Sequence, residues 1–215
     1  MKKYNTVIFD MDGTLLDTLE DITDGVNYSL GLYGFPSKSS QEVRRSTGNG
    51  ALRLMEQSIP GGLNNTDFDK ALDAYLGYYI KNNGAKTKPY PDISKLLSEL
   101  HDQGFKMAIV SNKIDSEVKK LNRKYFNDLV QVAIGETETI KRKPAPDSLY
   151  QAMSELGSVK AETVFIGDSE VDIATAKNAG VDCIAVTWGF RDKESLLKNG
   201  AVKIVNEPLD ILELV

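Results

Sequence analysis

Residues 6–18 read TVIFDMDGTLLDT, and two aspartates, Asp10 and Asp12, stand one residue apart directly after four residues of strand type. A strand can end on Gly13 and Thr14 alone, so two acids set beside a core need a partner or a task. Three more polar clusters follow apolar runs in the same way. Ser111, Asn112 and Lys113 come after KMAIV; Lys141, Arg142 and Lys143 come after VQVAI and a connecting loop; Asp168, Ser169 and Asp172 come after TVFI in GDSEVD. Taken singly, D-x-D is a common turn, Ser-Asn-Lys caps helices, and a basic triplet is a solvated loop. Their shared position matters more, because ligands of doubly wound sheets bind beyond the carboxyl ends of the strands. Carboxylates converging there repel one another and take up protons unless a cation neutralises them. Three of them around a hard ion, completed by backbone carbonyls and water, suit Mg²⁺.

The elements that must carry these groups are legible as alternation. Short runs rich in Val and Ile at 6–9, 106–110, 130–134, 163–166, 183–187 and 202–205 are separated mostly by helix-like segments. That pattern predicts an α/β fold: a Rossmann-like parallel sheet with helices on both faces. Pro91 opens one helix and Gly104 closes it, while Gly157 and Gly180 close two others. Between residues 18 and 83 the alternation stops, and TLEDITDGVNYSLGLYG, SQEVRRST, GALRLMEQSI and TDFDKALDAYLGYYIKN read as successive helices. The expected division is a catalytic core of residues 1–16 and 88–215 and an inserted α-helical cap domain of residues 17–87, with hinges near Asp17 and Lys86–Pro89. Such an excursion is either a lid or a helical subdomain that only adds buried area.

Composition narrows the function classes. The chain has 215 residues, 41% of them hydrophobic, enough to bury a substantial core. Its net charge of -5 argues against nucleic acid or an anionic membrane as partner and leaves room for a small anion only where positive charge is local. No apolar run approaches the roughly 18–20 residues of a membrane span, and the opening MKKYNTVIFD reaches an acid too soon for a signal peptide, so a cytoplasmic location is expected. Cys183, the single cysteine, reads as a buried strand residue. His101, the single histidine, sits at a helix C-terminus. Any proton shuttle therefore falls to a carboxylate or a lysine. No feature of the sequence specifies an oligomeric state.

In their order, DMDGT, SNK, the lysine of KP and GDSEVD resemble the four motifs of the haloacid dehalogenase superfamily, across the whole of the expected core. The second aspartate of the first motif is the pattern of that superfamily's phosphatases. Helices inserted directly after it resemble the small cap of the phosphoglycolate phosphatase-like and β-phosphoglucomutase-like branches. The resemblance implies a phosphoric monoester hydrolase that acts with Mg²⁺ on a small phosphorylated metabolite.

By that resemblance, Asp10 is the nucleophile and forms an aspartyl phosphate. Asp12 protonates the leaving oxygen and then deprotonates water, as general acid and then general base. Asp10, the backbone carbonyl of Asp12 and Asp168 hold the metal, with Asp172 in a supporting place. Ser111 donates to a phosphate oxygen, helped by the N-terminus of the following helix, and Asn112 orients the same oxygens or the nucleophile. Lys143 offsets negative charge, whereas Lys141 and Arg142 face solvent. Lys113 has two readings, a leaving-group contact or its helix's surface. Gly13 and Thr14 make a turn that lets backbone amides approach the phosphate.

In the insertion, RRSTGNGALR resembles a cap loop in which Gly48, Asn49 and Gly50 bind substrate, with Arg44, Arg45 or Arg53 adding a contact. Trp188 and Phe190 either line the mouth of the site or pack at the sheet edge. Three rivals remain open: a mutase moving a phosphoryl group between sugar hydroxyls, an inorganic pyrophosphatase on the same site, and a non-enzymatic phospho-accepting switch.

Overall fold

The computed structural model describes residues 3–126 and 128–215. In chain order the elements are β1 (Thr6–Phe9), β2 (Leu16–Asp17), α1 (Leu19–Leu32), α2 (Ser40–Ser46), α3 (Gly50–Ser58), α4 (Phe68–Asn82), β3 (Lys88–Pro89) and α5 (Ile93–Asp102). There follow β4 (Lys106–Ile114), α6 (Asp115–Tyr125), β5 (Val132–Glu136), α7 (Asp147–Leu156), β6 (Thr163–Gly167), α8 (Glu170–Ala179), β7 (Asp182–Val186), α9 (Lys193–Lys198) and β8 (Lys203–Val205). The chain divides into two compact units, Met1–Leu16 with Pro89–Val215, and Asp17–Lys88.

Six strands of the first unit form a parallel sheet in the order β5-β4-β1-β6-β7-β8. The order of succession reverses at β1, which has β4 on one side and β6 on the other. This is the Rossmann-like switch point, the place beyond the strand ends where doubly wound sheets bind their ligands. Alternation along the strands feeds two cores. Val7 and Phe9 of β1 pack with Ile109 and the helix face Leu96, Leu97 and Leu100, while Ile8 packs on the other face with Ala108, Val110, Phe165 and Leu149. A strand buried on both faces is apolar at most positions, which is why β1 and β6 carry Val, Ile and Phe in succession after a buried threonine. Gly157 and Gly180 end α7 and α8 in the left-handed conformation, φ +59° and +72°, as helix-stop glycines do.

Two strands depart from the sequence expectation by more than one residue. Strand β5 begins two residues late because the Val130 amide is drawn into a turn on the Phe126 carbonyl (3.0 Å). Strand β4 runs on through Ser111, Asn112 and Lys113 to Ile114, with a shift of register against β5 between Val110 and Ile114. Such irregularities re-aim side chains near the ends of strands.

The helical unit has a core of its own. Ile22, Val26 and Leu30 recur at four-residue steps along α1 and meet Phe68, Ala71, Tyr75 and Tyr79 of α4, with Leu54 and Met55 of α3. Asp21 closes this unit locally: its carboxylate accepts the amides of Gly84 (2.8 Å), Lys86 (3.1 Å) and Thr87 (3.0 Å) and the Thr87 hydroxyl (2.6 Å). Burial opposes its charge, but these bonds, led by those from Thr87, hold the carboxyl below its ordinary value. Among the described residues no helix is long and apolar enough to cross a membrane.

Candidate active site

Asp10 is the first residue beyond β1, and its amide still bonds to the Ile166 carbonyl (2.8 Å), continuing the ladder to β6. That bond sets the nucleophile candidate beside the end of β6, where Gly167 leads into Asp168. Glycine is required at 167 because a Cβ there would collide with the Asp172 side chain. Gly13, at φ +87°, makes room in the same way, since a Cβ would lie 2.5 Å from Asp168 Oδ2. The Gly13 N–H itself closes the loop, donating to the Leu16 carbonyl at 2.9 Å. Close approach to Asp168 is what the glycine allows.

Lys143 supplies the positive charge. Its ammonium lies 2.7 Å from Asp10 Oδ1 and 2.7 Å from Asp172 Oδ1, and stands over the Phe165 ring. Lys141 and Arg142 are exposed. Asp172 is held at its other oxygen by the Ser169 amide (3.1 Å) and hydroxyl (2.6 Å), the capping box of α8. Both of its oxygens are thus engaged, and it braces Lys143.

Asn112 has a place that the sequence did not indicate. Its amide brackets the Lys143 main chain, donating from Nδ2 to the carbonyl (3.0 Å) and accepting the Lys143 N–H at Oδ1 (2.7 Å). Asp12 has its Oδ2 3.4 Å from the Ser111 hydroxyl and its Oδ1 2.9 Å from Lys113 Nζ. The Lys113 contact is an ion pair of close charges rather than an aligned hydrogen bond, and the ammonium is buried, so the helix-surface reading of Lys113 is excluded. Because β4 extends to Ile114, α6 begins at Asp115, four residues after Ser111.

The carboxylates of Asp10, Asp168 and Asp172 offer oxygens within 4.8 Å of one another, all buried. Burial pushes the Asp10 carboxyl well above its ordinary value; Lys143 pulls it back, but the charges of Asp172, Asp168 and Asp12 add to the rise. Asp168 is driven up to about 7 by burial and by Asp172, against the Phe190 amide, Arg191 and Lys143. Lys143 is raised despite burial, through Asp10 and Asp172. A site that drives its own acids toward the protonated form lacks positive charge, and a divalent ion that prefers oxygen donors would fit it.

Gly48 and Asn49 belong to the helical unit. Gly48 has φ +117°, and Asn49 is the N-cap residue of α3 without a side-chain capping bond. Arg53 pairs with Glu56 on the same helix. His101 is exposed at the end of α5, and Cys183 is a strand residue of β7 whose thiol burial pushes up to about 12, which makes it a poor nucleophile.

With this geometry in view, comparison with known proteins is specific. Residues 7–186 match the model of the haloacid dehalogenase-like hydrolase family. The chain belongs to that family. This hydrolase is 32% identical over 190 residues to the phosphoglycolate phosphatase of Pseudomonas putida, covering 86% of the chain and 70% of the relative. Phosphoglycolate phosphatase 1 of Pseudomonas aeruginosa is 31% identical over 217 residues, covering 96% and 78%. A solved structure described as a candidate phosphoglycolate phosphatase from Lactobacillus delbrueckii subsp. bulgaricus superposes with a TM-score of 0.94 at 34% identity, covering 98% of each chain. The hydrolase is accordingly an enzyme of the phosphatase kind, similar to phosphoglycolate phosphatases.

Proposed function

We propose that this hydrolase cleaves a small phosphate monoester, phosphoglycolate or a close chemical relative, through an aspartyl phosphate on Asp10, with Mg²⁺ as cofactor. The observation that carries the reading is the buried cation-poor group at the switch point, in which Lys143 joins Asp10 to Asp172 with Asp168 alongside. The names of the relatives support the choice of substrate class.

In this reading Asp10, the main-chain carbonyl of Asp12 and Asp168 would hold the ion. When bound, Mg²⁺ offsets the repulsion between the entering phosphate and Asp10. Asp10 Oδ attacks phosphorus in line, and the bond to the departing alkoxide breaks. Asp12 gives that alkoxide its proton, then removes one from the water that cleaves the mixed anhydride, releasing inorganic phosphate and restoring Asp10. The Lys143 ammonium, held by Asp172 at its side and Asn112 at its backbone, neutralises charge on the transferring oxygens. Asn112 is here a positioning residue rather than a substrate contact, and the Ser111 hydroxyl donates to a phosphate oxygen. Lys113 holds Asp12 in place. Gly48 and Asn49 are the substrate-binding candidates of the helical unit.

Purified protein should release phosphate from phosphoglycolate in the presence of Mg²⁺, and a chelator should silence it. Isomerised product from a hexose 1-phosphate without free phosphate would instead establish a mutase. A stable phosphoprotein with negligible phosphate release would establish a phospho-accepting switch.

A further inference from the structure

The segment after β7, TWGFR at 187–191, touches the site in three ways. Trp188 Nε1 donates to the main-chain oxygen of Thr14 at 3.0 Å. At Gly189 a Cβ would collide with the Asp168 side chain and with the Gly13 carbonyl, so bare backbone passes close to both. The Phe190 amide donates to Asp168 Oδ2 at 2.6 Å. Thr14 completes the circuit, its hydroxyl 3.2 Å from Asp168 Oδ1. Asp168 is therefore held at one oxygen by the nucleophile loop and at the other by this segment, and the indole ties the segment back to the loop. Arg191 anchors the far end through a two-pronged pair with Glu170, 2.7 Å at Nε and 2.9 Å at Nη2.

We propose that Trp188, Gly189 and Phe190 form a strap that sets the spacing between the Asp10–Thr14 loop and Asp168, which makes Trp188 a positioning residue for the divalent-cation site. The inference rests on the Mg²⁺ reading above. Mg²⁺ demands near-ideal octahedral oxygens at about 2.0–2.1 Å, so a small drift of the loop away from Asp168 weakens binding even if each ligand is intact. The strap also brings the chain's single tryptophan to the site, so its emission reports on the loop.

The deciding experiment is calorimetric titration of Mg²⁺ into the metal-stripped full chain, as wild type, Trp188→Phe and Gly189→Ala, with a metal-free melting curve for each. Trp188→Phe keeps an aromatic ring and removes the indole N–H together with some of the ring's bulk, which is why the melting curve accompanies it. Expected are Mg²⁺ binding to wild type with a change in tryptophan emission, and binding about 10–100-fold weaker in Trp188→Phe at a wild-type melting temperature. Gly189→Ala should weaken it further; if that variant does not fold, Trp188→Phe decides alone. Equal affinity in wild type and Trp188→Phe overturns the strap and leaves the Mg²⁺ reading standing. A melting temperature that falls together with the affinity assigns Trp188 to general packing and also overturns it. A wild type that binds no Mg²⁺ overturns the cofactor reading and the strap with it.

Discussion

Asp21 in the helical unit and the Asp10–Asp168–Asp172 group in the sheet unit both bury carboxylates, yet their surroundings push them in opposite directions. Asp21 is one acid with donors on both oxygens, and its carboxyl is held below the ordinary range. The sheet unit gathers three acids around one lysine, and Asp10 and Asp168 are driven up. Burial alone therefore does not mark a working site. A carboxylate satisfied by fixed amides stabilises its fold, whereas a group left short of positive charge is poised to receive something that carries it.

The largest effect that tests this contrast is at the nucleophile candidate. Asp10→Asn should lower turnover of phosphoglycolate at least about a thousandfold, since an amide cannot form the anhydride. The metal-free melting temperature at pH 8 should be unchanged or higher. A raised carboxyl pKa means that the ionised side chain costs the folded state stability at that pH, and the amide removes the cost. A clear loss of stability would show that the cluster is a satisfied structural network, like Asp21.

Next comes Asn112→Ala, which frees the Lys143 backbone. Turnover should fall roughly 10–100-fold, as for other orienting partners, and mainly in kcat. A change confined to KM would return Asn112 to direct substrate binding.

The opposite behaviour is expected at Asp21. Asp21→Asn should destabilise the protein by about 1–3 kcal/mol at pH 7, read by denaturant unfolding, because backbone donors lose their charged acceptor. Its folded pKa is lowered, so its contribution is fully present above the unfolded value near 3.9 and is lost as pH falls through the folded value. The gap between wild type and Asp21→Asn should therefore close in acid. A gap that widened in acid would reverse the sign assigned here. Smallest of all, Thr87→Val removes one of the donors and should cost about 1 kcal/mol in the same assay.

Much of the fold was legible because its signals are local. The short runs at 6–9 and 163–166, rich in β-branched and aromatic residues, read as strands buried on both faces, and Gly157 and Gly180 stop helices by a backbone preference that needs no tertiary partner. The site was legible in part. Asp10, Lys143 and Asp168 meet at one rim, as their positions beyond successive strands implied. What Asn112, Lys113 and Trp188 touch was not, since each contact joins segments far apart in the chain, and two of them end on main-chain atoms that no side-chain pattern announces. The continuation of β4 through Ser111–Ile114 was missed because polar residues at a strand end look like a helix cap until a neighbouring strand pairs with them.

By itself, then, the sequence determined the chemical inventory and its order: acids, a hydroxyl, an amide and a lysine placed after strands whose apolar periodicity forces a parallel sheet. The tertiary structure alone decided the partners. Hydrogen bonds and ion pairs act over about 3 Å, and only the assembled sheet brings Asp10, Lys143, Asp168 and the Trp188 segment within that range. Spacing along the chain can state which groups share an edge, but not which of them touch.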